Sequence, residues 1–342
     1  MPTPPNNFSS NNQPLTQIHS LNALKLFCAF LVVHLHIPSI YQSLILPLGH
    51  IAVPIFFIIS GYFIYGKSNK LDPNKLRRTA IKIAKLIIVS QSIYIIYTLA
   101  TSFRHEGRLD TLLSSIGWFY TIFFGSWFSG PLWYLTAFLE TILFIWLIVR
   151  LRAERILPYL IPVCLLARCL MKFYYSHYPT APYFSWIGYN LITDGIPCVI
   201  IGMMIRRFLH LAPSQRILCF ITALLFITLY LSGYTFDIYS TCIHQISIFL
   251  LATSAFILVI RYEPKHRLTL ICAKYGKDNS RDIYIGHSLM GVIVRNLVPD
   301  FISIINPIAT FAITLLGSKI YNYIKQTRPI NLNLLSKRMK QY

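Results

Sequence analysis

Two residues that could carry out chemistry, Lys25 and His36, lie in the apolar segment LNALKLFCAFLVVHLHIP of residues 21–38. In a helix their spacing corresponds to about three turns and about 16 Å along the axis, so both side chains project from one face. An imidazole can act as a general base near neutral pH, and an ammonium group can bind an anion. The alternative is structural: Lys25 extends to the membrane surface, and His36 ends the segment before Pro38.

Ionisable side chains inside apolar segments are costly, which makes each of them a candidate functional residue. Besides Lys25 and His36, these segments contain His34, Glu140, Arg168, Asp194, His244 and His287. His34 lies about 200° around a helix from His36, so it is expected to face elsewhere.

Two further groups have both a chemical and a structural interpretation. Ser60 and Gly61 lie among aromatic residues. Ser60 could orient His36 or donate a hydrogen bond to an oxyanion. Alternatively, the two small residues could allow close packing of helices. Arg78, Lys82 and Lys85 fall on one helical stripe. That stripe suits either the phosphates of a cofactor or the anchoring of a helix at the membrane surface.

These residues require a membrane scaffold, because 55% of the 342 residues are hydrophobic and only 12% are charged. Soluble domains have about 25% charged residues, so an ordinary soluble enzyme is excluded. The net charge of +20 resides in short segments between apolar runs, a pattern that orients membrane helices rather than binding nucleic acid. The seven cysteines include no CxxC pair, so we expect neither a disulfide framework nor a metal site.

The apolar runs predict an all-α polytopic membrane protein with about ten transmembrane helices in one bundle. The predicted spans are 22–38, 45–66, 80–101, 131–150, 156–171, 188–207, 214–232, 242–261, 282–298 and 303–324. The apolar stretch 112–127 is short and rich in Gly and Trp, which favours a re-entrant or interfacial segment. If the N-terminus is cytoplasmic, 26 of the 31 basic residues fall on that side. Both termini are therefore expected to be cytoplasmic.

The chain divides into three parts. Residues 1–20 are rich in Pro, Asn and Ser and lack Lys and Arg, which predicts a disordered cytoplasmic tail rather than a signal peptide. Residues 21–325 form the membrane domain, and residues 326–342 form a basic cytoplasmic tail.

Six short motifs, in order along nearly the whole chain, resemble those of the integral-membrane acyltransferase 3 family, whose members O-acylate bacterial surface glycans and related molecules. The motifs are Lys25 with His36, Phe56-Phe57-Ile58-Ile59-Ser60-Gly61, Lys82-Ile83-Ala84-Lys85, Leu132-Trp133-Tyr134-Leu135, Asp194-Gly195-Ile196-Pro197 with Gly202, and Ile283-Tyr284-Ile285-Gly286-His287. Lysine stands where arginine is commoner in the first and third motifs. It keeps the charge but lacks the bidentate fork of arginine.

The resemblance implies an acyltransferase for groups other than amino-acyl groups, most simply an O-acetyltransferase, in the bacterial cytoplasmic (inner) membrane. The donor would be acyl-CoA, by default acetyl-CoA with succinyl-CoA open, and no metal would take part. The acceptor would be a hydroxyl of a surface glycan or lipid-linked sugar, and membrane lipid would surround the bundle. The candidate residues are His36 and Ser60 for catalysis, Lys25, Arg78, Lys82, Lys85 and His287 for the donor, and Trp133 and Asp194 for the acceptor.

His287 and Asp194 are predicted to lie towards opposite sides of the membrane, because of their positions along their spans. His287 lies six residues after Arg281 at the predicted inner end of the ninth span, about 9 Å inward, so we expect it to lie shallower than His36. Its alternative is a packing histidine bonded to a neighbouring carbonyl. Asp194 lies near the outer start of the sixth span, where it could orient the acceptor or cap the helix.

A transporter or exporter of a glycan or small molecule is the second interpretation, because polar groups within spans also line substrate pathways. Against it, the chain has no internal repeat and no matching pair of Gly/Pro-broken spans. A structural or sensor protein would leave the spacing of Lys25 and His36 a coincidence. Aromatic residues of the outer loops suit sugar stacking or interfacial anchoring equally well. They are Trp118, Trp127, Trp133, Tyr183 and Trp186.

Overall fold

A computed structural model describes residues 19–66, 70–102, 114–177, 188–233, 237–261, 266–297 and 304–327. Across these residues the regular structure is helical and contains no β-strand, which confirms the all-α prediction. The predicted N-terminal tail lies outside them up to residue 18, and the predicted C-terminal tail lies outside them from residue 328.

The described residues form twelve α-helices joined by turns and short 3-10 or π-helical segments. They are α1 (His19–His36), α2 (Gln42–Gly49), α3 (Ala52–Ile64), α4 (Pro73–Ser102), α5 (Ser115–Phe123), α6 (Trp133–Arg150), α7 (Leu157–His177), α8 (Ile196–Phe208), α9 (Gln215–Ser232), α10 (Ile238–Arg261), α11 (Arg267–Leu297) and α12 (Asn306–Thr327). Local signals set several boundaries. For example, Pro73 suits the first turn of α4, and the side chain of Asp72 accepts from the Asn74 amide at 2.9 Å.

By length and apolar composition, six helical segments of the described residues could each cross a membrane. They are Gln42–Ile64, Pro73–Thr101, Gly130–Arg150, Glu154–Tyr174, Gln215–Ser232 and Ile238–Arg261. The molecule is therefore a multi-pass helical membrane protein. The other four predicted spans coincide with α1, α8, α11 and α12, which are shorter or carry more polar residues.

Two helices begin about two turns or more earlier than predicted: α4 at Pro73 rather than residue 80, by about two turns, and α11 at Arg267 rather than residue 282, by about four. The first half of α11 contains several charged residues, which interrupt the apolar pattern that marks a span. It is nevertheless helical and packs along α1. The two backbones approach so closely at Gly276 that a Cβ atom there would collide with the carbonyl of Asn22.

Glycines also set the contact between α3 and α8. A Cβ atom on Gly61 would collide with the carbonyl oxygen of Val199, and one on Gly202 would collide with that of Ile58. The two glycines therefore allow the helices to pack backbone against backbone, as small residues do between membrane helices. Helix packing is thus the role that the structure gives to Gly61.

Residues 114–127 of the predicted re-entrant or interfacial segment are described. They form α5 and a turn in which Gly125 has φ of 70°, a conformation that favours glycine. The nine residues of α5 extend about 13 Å, which is too short to cross a hydrocarbon core of about 30 Å. Ser114 caps this helix by accepting a hydrogen bond from the Gly117 amide at 3.1 Å.

Candidate functional site

Two cavities lie inside the bundle, one near each end of α1. Lys25 lines a cavity of about 490 Å³, and His36 lines one of about 400 Å³. We call them the Lys25 cavity and the His36 cavity. α3 also lines both, with Ser60 in the Lys25 cavity and Val53 and Pro54 in the His36 cavity. Both volumes fall within the range of about 300–1,000 Å³ that is usual for small-molecule sites.

The Lys25 cavity is positively charged. Its basic lining residues are Lys25, Lys75, Lys277 and Arg281, and no acidic side chain of the described residues lines it. The Lys25 ammonium is half-buried and donates to Oδ1 of Asn22 at 3.3 Å. Lys75 donates to the carbonyls of Phe63 and Ile64 at 2.6 and 3.3 Å, at the C-terminal end of α3 where cations are stabilised. An anionic group would therefore be attracted into this cavity.

Polar and aromatic side chains line the His36 cavity. They include His36, His50, Trp133, Arg168, Lys172, Tyr189, Asp194 and Gln245. Arg168 and Asp194 are buried and form an ion pair. Nε of Arg168 also donates to Gln245 at 2.9 Å, and the Thr193 hydroxyl donates to Asp194 at 2.8 Å. Both charges of the pair are thus satisfied within the protein, as buried charges must be.

His36 and His287 lie side by side, with ring centroids 5.4 Å apart. The His36 side chain is exposed to its cavity, whereas His287 is fully buried. Tyr284 precedes His287 by three residues on α11, and its ring centroid lies 6.1 Å from that of His287. Because Tyr284 lines the Lys25 cavity, a row of three rings leads from one cavity to the other.

The hydrogen bonds of His287 decide which ring nitrogen carries its proton. Nδ1 lies 2.7 Å from the carbonyl oxygen of Tyr284 and 3.2 Å from that of Ile283. A carbonyl only accepts, so Nδ1 donates and the lone pair of the neutral ring is on Nε2. His287 therefore makes the carbonyl bond expected of a packing histidine. Its Nε2 keeps the lone pair and lies 3.5 Å from the Ser288 hydroxyl, on the ring that lies beside His36.

Near His287, tyrosine side chains connect α11 to the neighbouring helices. The Tyr284 hydroxyl donates to the carbonyl of Pro131, just before α6. The Tyr94 hydroxyl donates to the carbonyl of Ile285 at 2.7 Å. Tyr134 packs edge-on against Tyr284 with centroids 5.2 Å apart. These contacts fix the depth and rotation of α11, and with them the position of His287.

The predicted donor residues of α4 do not face the Lys25 cavity. Arg78, Lys82 and Lys85 are exposed and line neither cavity. The residues of α4 that line the Lys25 cavity are Lys75, Thr79, Ile83 and Leu86. The basic stripe predicted to bind the donor therefore lies on a different face of the same helix.

Three cationic residues of the Lys25 cavity were missed in the sequence, namely Lys75, Lys277 and Arg281. Lys277 and Arg281 are four residues apart and so lie on one face of α11. This spacing was a usable signal, but the predicted span began only at residue 282. For the same reason, the prediction that His287 lies shallower than His36 is wrong. Arg281 is in the interior of α11, and the two histidine rings are in contact.

Asp194 does not cap a helix, because Asn190 does so. The Asn190 side chain accepts from the amides of Ile192 and Thr193 at 2.7 and 3.1 Å. In return, the Thr193 hydroxyl accepts from the Asn190 amide at 3.0 Å. This reciprocal arrangement is a capping box. Asp194 lies in the π-helical turn Leu191–Gly195 that follows, and its carboxylate pairs with Arg168.

The structure brings His36, Trp133 and Asp194 together in one cavity. Ser60 lines the other cavity, where its hydroxyl donates to the Phe56 carbonyl at 2.8 Å, so Ser60 and His36 do not share a cavity. Trp118 and Trp127 belong to α5 and the turn after it, and they line neither cavity. Tyr183 and Trp186 lie outside the described residues.

The apolar helices and the polar cavities inside them define a multi-pass membrane protein with a site enclosed by its helices. The sequence profile of the acyltransferase 3 family, described as an acyltransferase domain, matches residues 18–321. This match covers most of the 342 residues, so the chain belongs to that family and carries a membrane acyltransferase domain. Comparisons with curated proteins and with solved structures find no match.

Proposed function

We propose that the protein transfers an acyl group, by default acetyl, from acyl-CoA to a hydroxyl of a surface glycan or a related acceptor. The observation that carries this proposal is the contact between His36 and His287, with the cationic Lys25 cavity on one side and the His36 cavity on the other. A transferase needs separate places for donor and acceptor and a base where they meet.

The Lys25 cavity would hold the donor. Phosphate groups favour sites with several ammonium or guanidinium groups, and Lys25, Lys75, Lys277 and Arg281 supply four. The phenyl and aliphatic side chains between them suit the pantetheine arm. The exposed Arg78, Lys82 and Lys85 would act at longer range by attracting the polyanionic donor from solution. Ser60 would contact the donor, because its side chain lines this cavity.

The chemistry would take place at the two histidines. His36 removes the proton of the acceptor hydroxyl as its oxygen attacks the thioester carbonyl, and collapse of the tetrahedral intermediate breaks the C–S bond. His36 then gives that proton to the CoA thiolate, which leaves as the free thiol. The lone pair on Nε2 of His287 would stabilise the His36 imidazolium, much as a third group orients the base in other acyl-transfer sites.

The acceptor would occupy the His36 cavity. Trp133 and Tyr189 offer aromatic surfaces to a sugar ring, and the Arg168–Asp194 pair stiffens the wall between them. Glycan and lipid-linked sugar acceptors both fit this arrangement. About ten transmembrane helices with both termini cytoplasmic would place the Lys25 cavity on the inner side of a bacterial cytoplasmic membrane.

The test is acyl transfer by the purified protein in lipid nanodiscs, with labelled acetyl-CoA and glycans from the native cell surface. We expect His36→Gln to slow transfer by about 10⁴-fold, the upper end of the usual contribution of a general base. His34→Gln is the matched control, because His34 is two residues away and bonds the Phe30 carbonyl at 2.9 Å instead of lining either cavity. Glycan movement across the bilayer without loss of acetyl-CoA would contradict the proposal and favour a transporter.

A further inference from the structure

The His36 cavity contains a cation that the enclosing protein does not neutralise. Lys172 follows Arg168 by four residues on α7, so both project from one helix face, and both line the cavity. Among the described residues, Asp194 is the one carboxylate in the lining, and it is paired with Arg168. No acidic group of the described residues lies within 4.0 Å of the Lys172 ammonium.

The partner of Lys172 in the structure is an aromatic ring. Its ammonium lies 3.1 Å from the ring centroid of Tyr189, a cation–π contact. Such a contact covers one side of the ammonium and leaves it able to donate hydrogen bonds elsewhere. The other polar lining groups, His36, His50 and Gln245, bring no negative charge. By formal charge, the described lining therefore carries two cations, Arg168 and Lys172, against one carboxylate, Asp194.

We propose that the acceptor carries a negatively charged group, a carboxylate or a phosphate, and that Lys172 binds it in the His36 cavity. This rests on the proposed function, because it names the class of acceptor for the same site. A partly buried ammonium without a carboxylate partner is costly, and an anion entering the cavity would reduce that cost. Charge on the acceptor would also fix its orientation, so that a chosen hydroxyl faces His36.

The test compares three probes that share one sugar ring and differ in the group at C6, which is neutral, a carboxylate or a phosphate: methyl glucoside, methyl glucuronoside and methyl glucoside 6-phosphate. Their binding to the full-length protein in nanodiscs is measured by calorimetry without acyl-CoA, so that no reaction occurs. A hydrogen-bonded charge pair predicts that at least one charged probe binds about tenfold or more tightly than the neutral one. A preference for the glucuronoside indicates an acidic sugar, and a preference for the phosphate indicates a phosphorylated or lipid-linked sugar.

The variants test whether Lys172 is responsible. Lys172→Gln is expected to bring the three affinities to within about twofold, whereas Lys172→Arg retains the preference. Arg295→Gln is the matched control, because Arg295 is an exposed basic residue near the end of α11 and lines neither cavity. Equal binding of the three probes, failure of both charged probes to bind, or an unchanged preference in Lys172→Gln would overturn the proposal.

Turnover on the same preparation separates this inference from the proposed function. Acetyl transfer to neutral and charged glycans at equal rates would refute the charged acceptor and leave the acyltransferase in place. Binding of a charged probe that depends on Lys172, without any consumption of acetyl-CoA, would support the anion site and refute the acyltransferase.

Discussion

His36 on α1 and His287 on α11 come from distant parts of the chain, and their ring centroids lie 5.4 Å apart. The carbonyls of Ile283 and Tyr284 hold Nδ1 of His287, which directs its basic nitrogen away from its own backbone. The pairing depends on the register between the two helices, which is set where Gly276 meets Asn22.

The first prediction concerns this pair. His287→Gln should lower kcat for acetyl transfer by about 10²–10³, within the usual range for a group that assists proton transfer. If the two histidines act as a unit, the double variant His36→Gln/His287→Gln should be no slower than the slower single variant. Steady-state kinetics with each substrate varied in turn measure both effects. A change confined to KM for acetyl-CoA would instead place His287 solely on the donor side.

The second prediction separates two faces of α4. Lys75 lines the Lys25 cavity, whereas Lys82, about two turns further along the same helix, does not. Lys75→Gln should raise KM for acetyl-CoA by about tenfold, because a charged hydrogen bond to phosphate is lost. Lys82→Gln should raise it by less than about threefold, since Lys82 lies outside the cavity lining and would act on the donor only at long range through solvent. A larger effect at Lys82 would contradict the assignment of the donor to this cavity.

The third prediction concerns the packing of α3 against α8. Gly202→Ala should lower the thermal unfolding midpoint in detergent, because the added methyl group meets the Ile58 carbonyl and overpacking costs about 1–3 kcal/mol. Gly317→Ala is the control on α12, where nothing lies within 4 Å of an added Cβ atom. There alanine should be neutral or slightly stabilising, since it favours the helix. Equal midpoints for the two variants would show that the close approach at Gly202 does not limit stability.

The fourth prediction concerns the buried ion pair. Asp194→Ala leaves the Arg168 guanidinium without its carboxylate, so it should destabilise the protein by about 3–5 kcal/mol besides impairing acceptor use. The apolar double variant Arg168→Met/Asp194→Leu should recover most of that stability, because no charge is left buried. Thermal unfolding of the three proteins measures the difference. A double variant as unstable as Asp194→Ala would mean that the pair stabilises the fold beyond the cost of an orphaned charge.

Much of the fold could be predicted, because a membrane span is recorded locally in about 20 apolar residues. The helical class followed from composition, and nine of the ten predicted spans overlap a single α-helix, whereas span 45–66 is divided between α2 and α3. The first half of α11 was missed for the same reason. Its polar residues are stabilised by packing along α1, a contact between distant segments that no local pattern records.

The sequence by itself determined that the chain is a helical membrane protein of the acyltransferase 3 family and that Lys25 and His36 share a helix face. It also singled out His287, Trp133 and Asp194. Only the tertiary structure decided that His287 contacts His36 and that Asp194 is bound to Arg168. It also decided that Lys75, Lys277 and Arg281, rather than the stripe from Arg78 to Lys85, line the Lys25 cavity. Helical spacing determines which residues share a face, whereas the neighbouring helices determine which face lines a cavity.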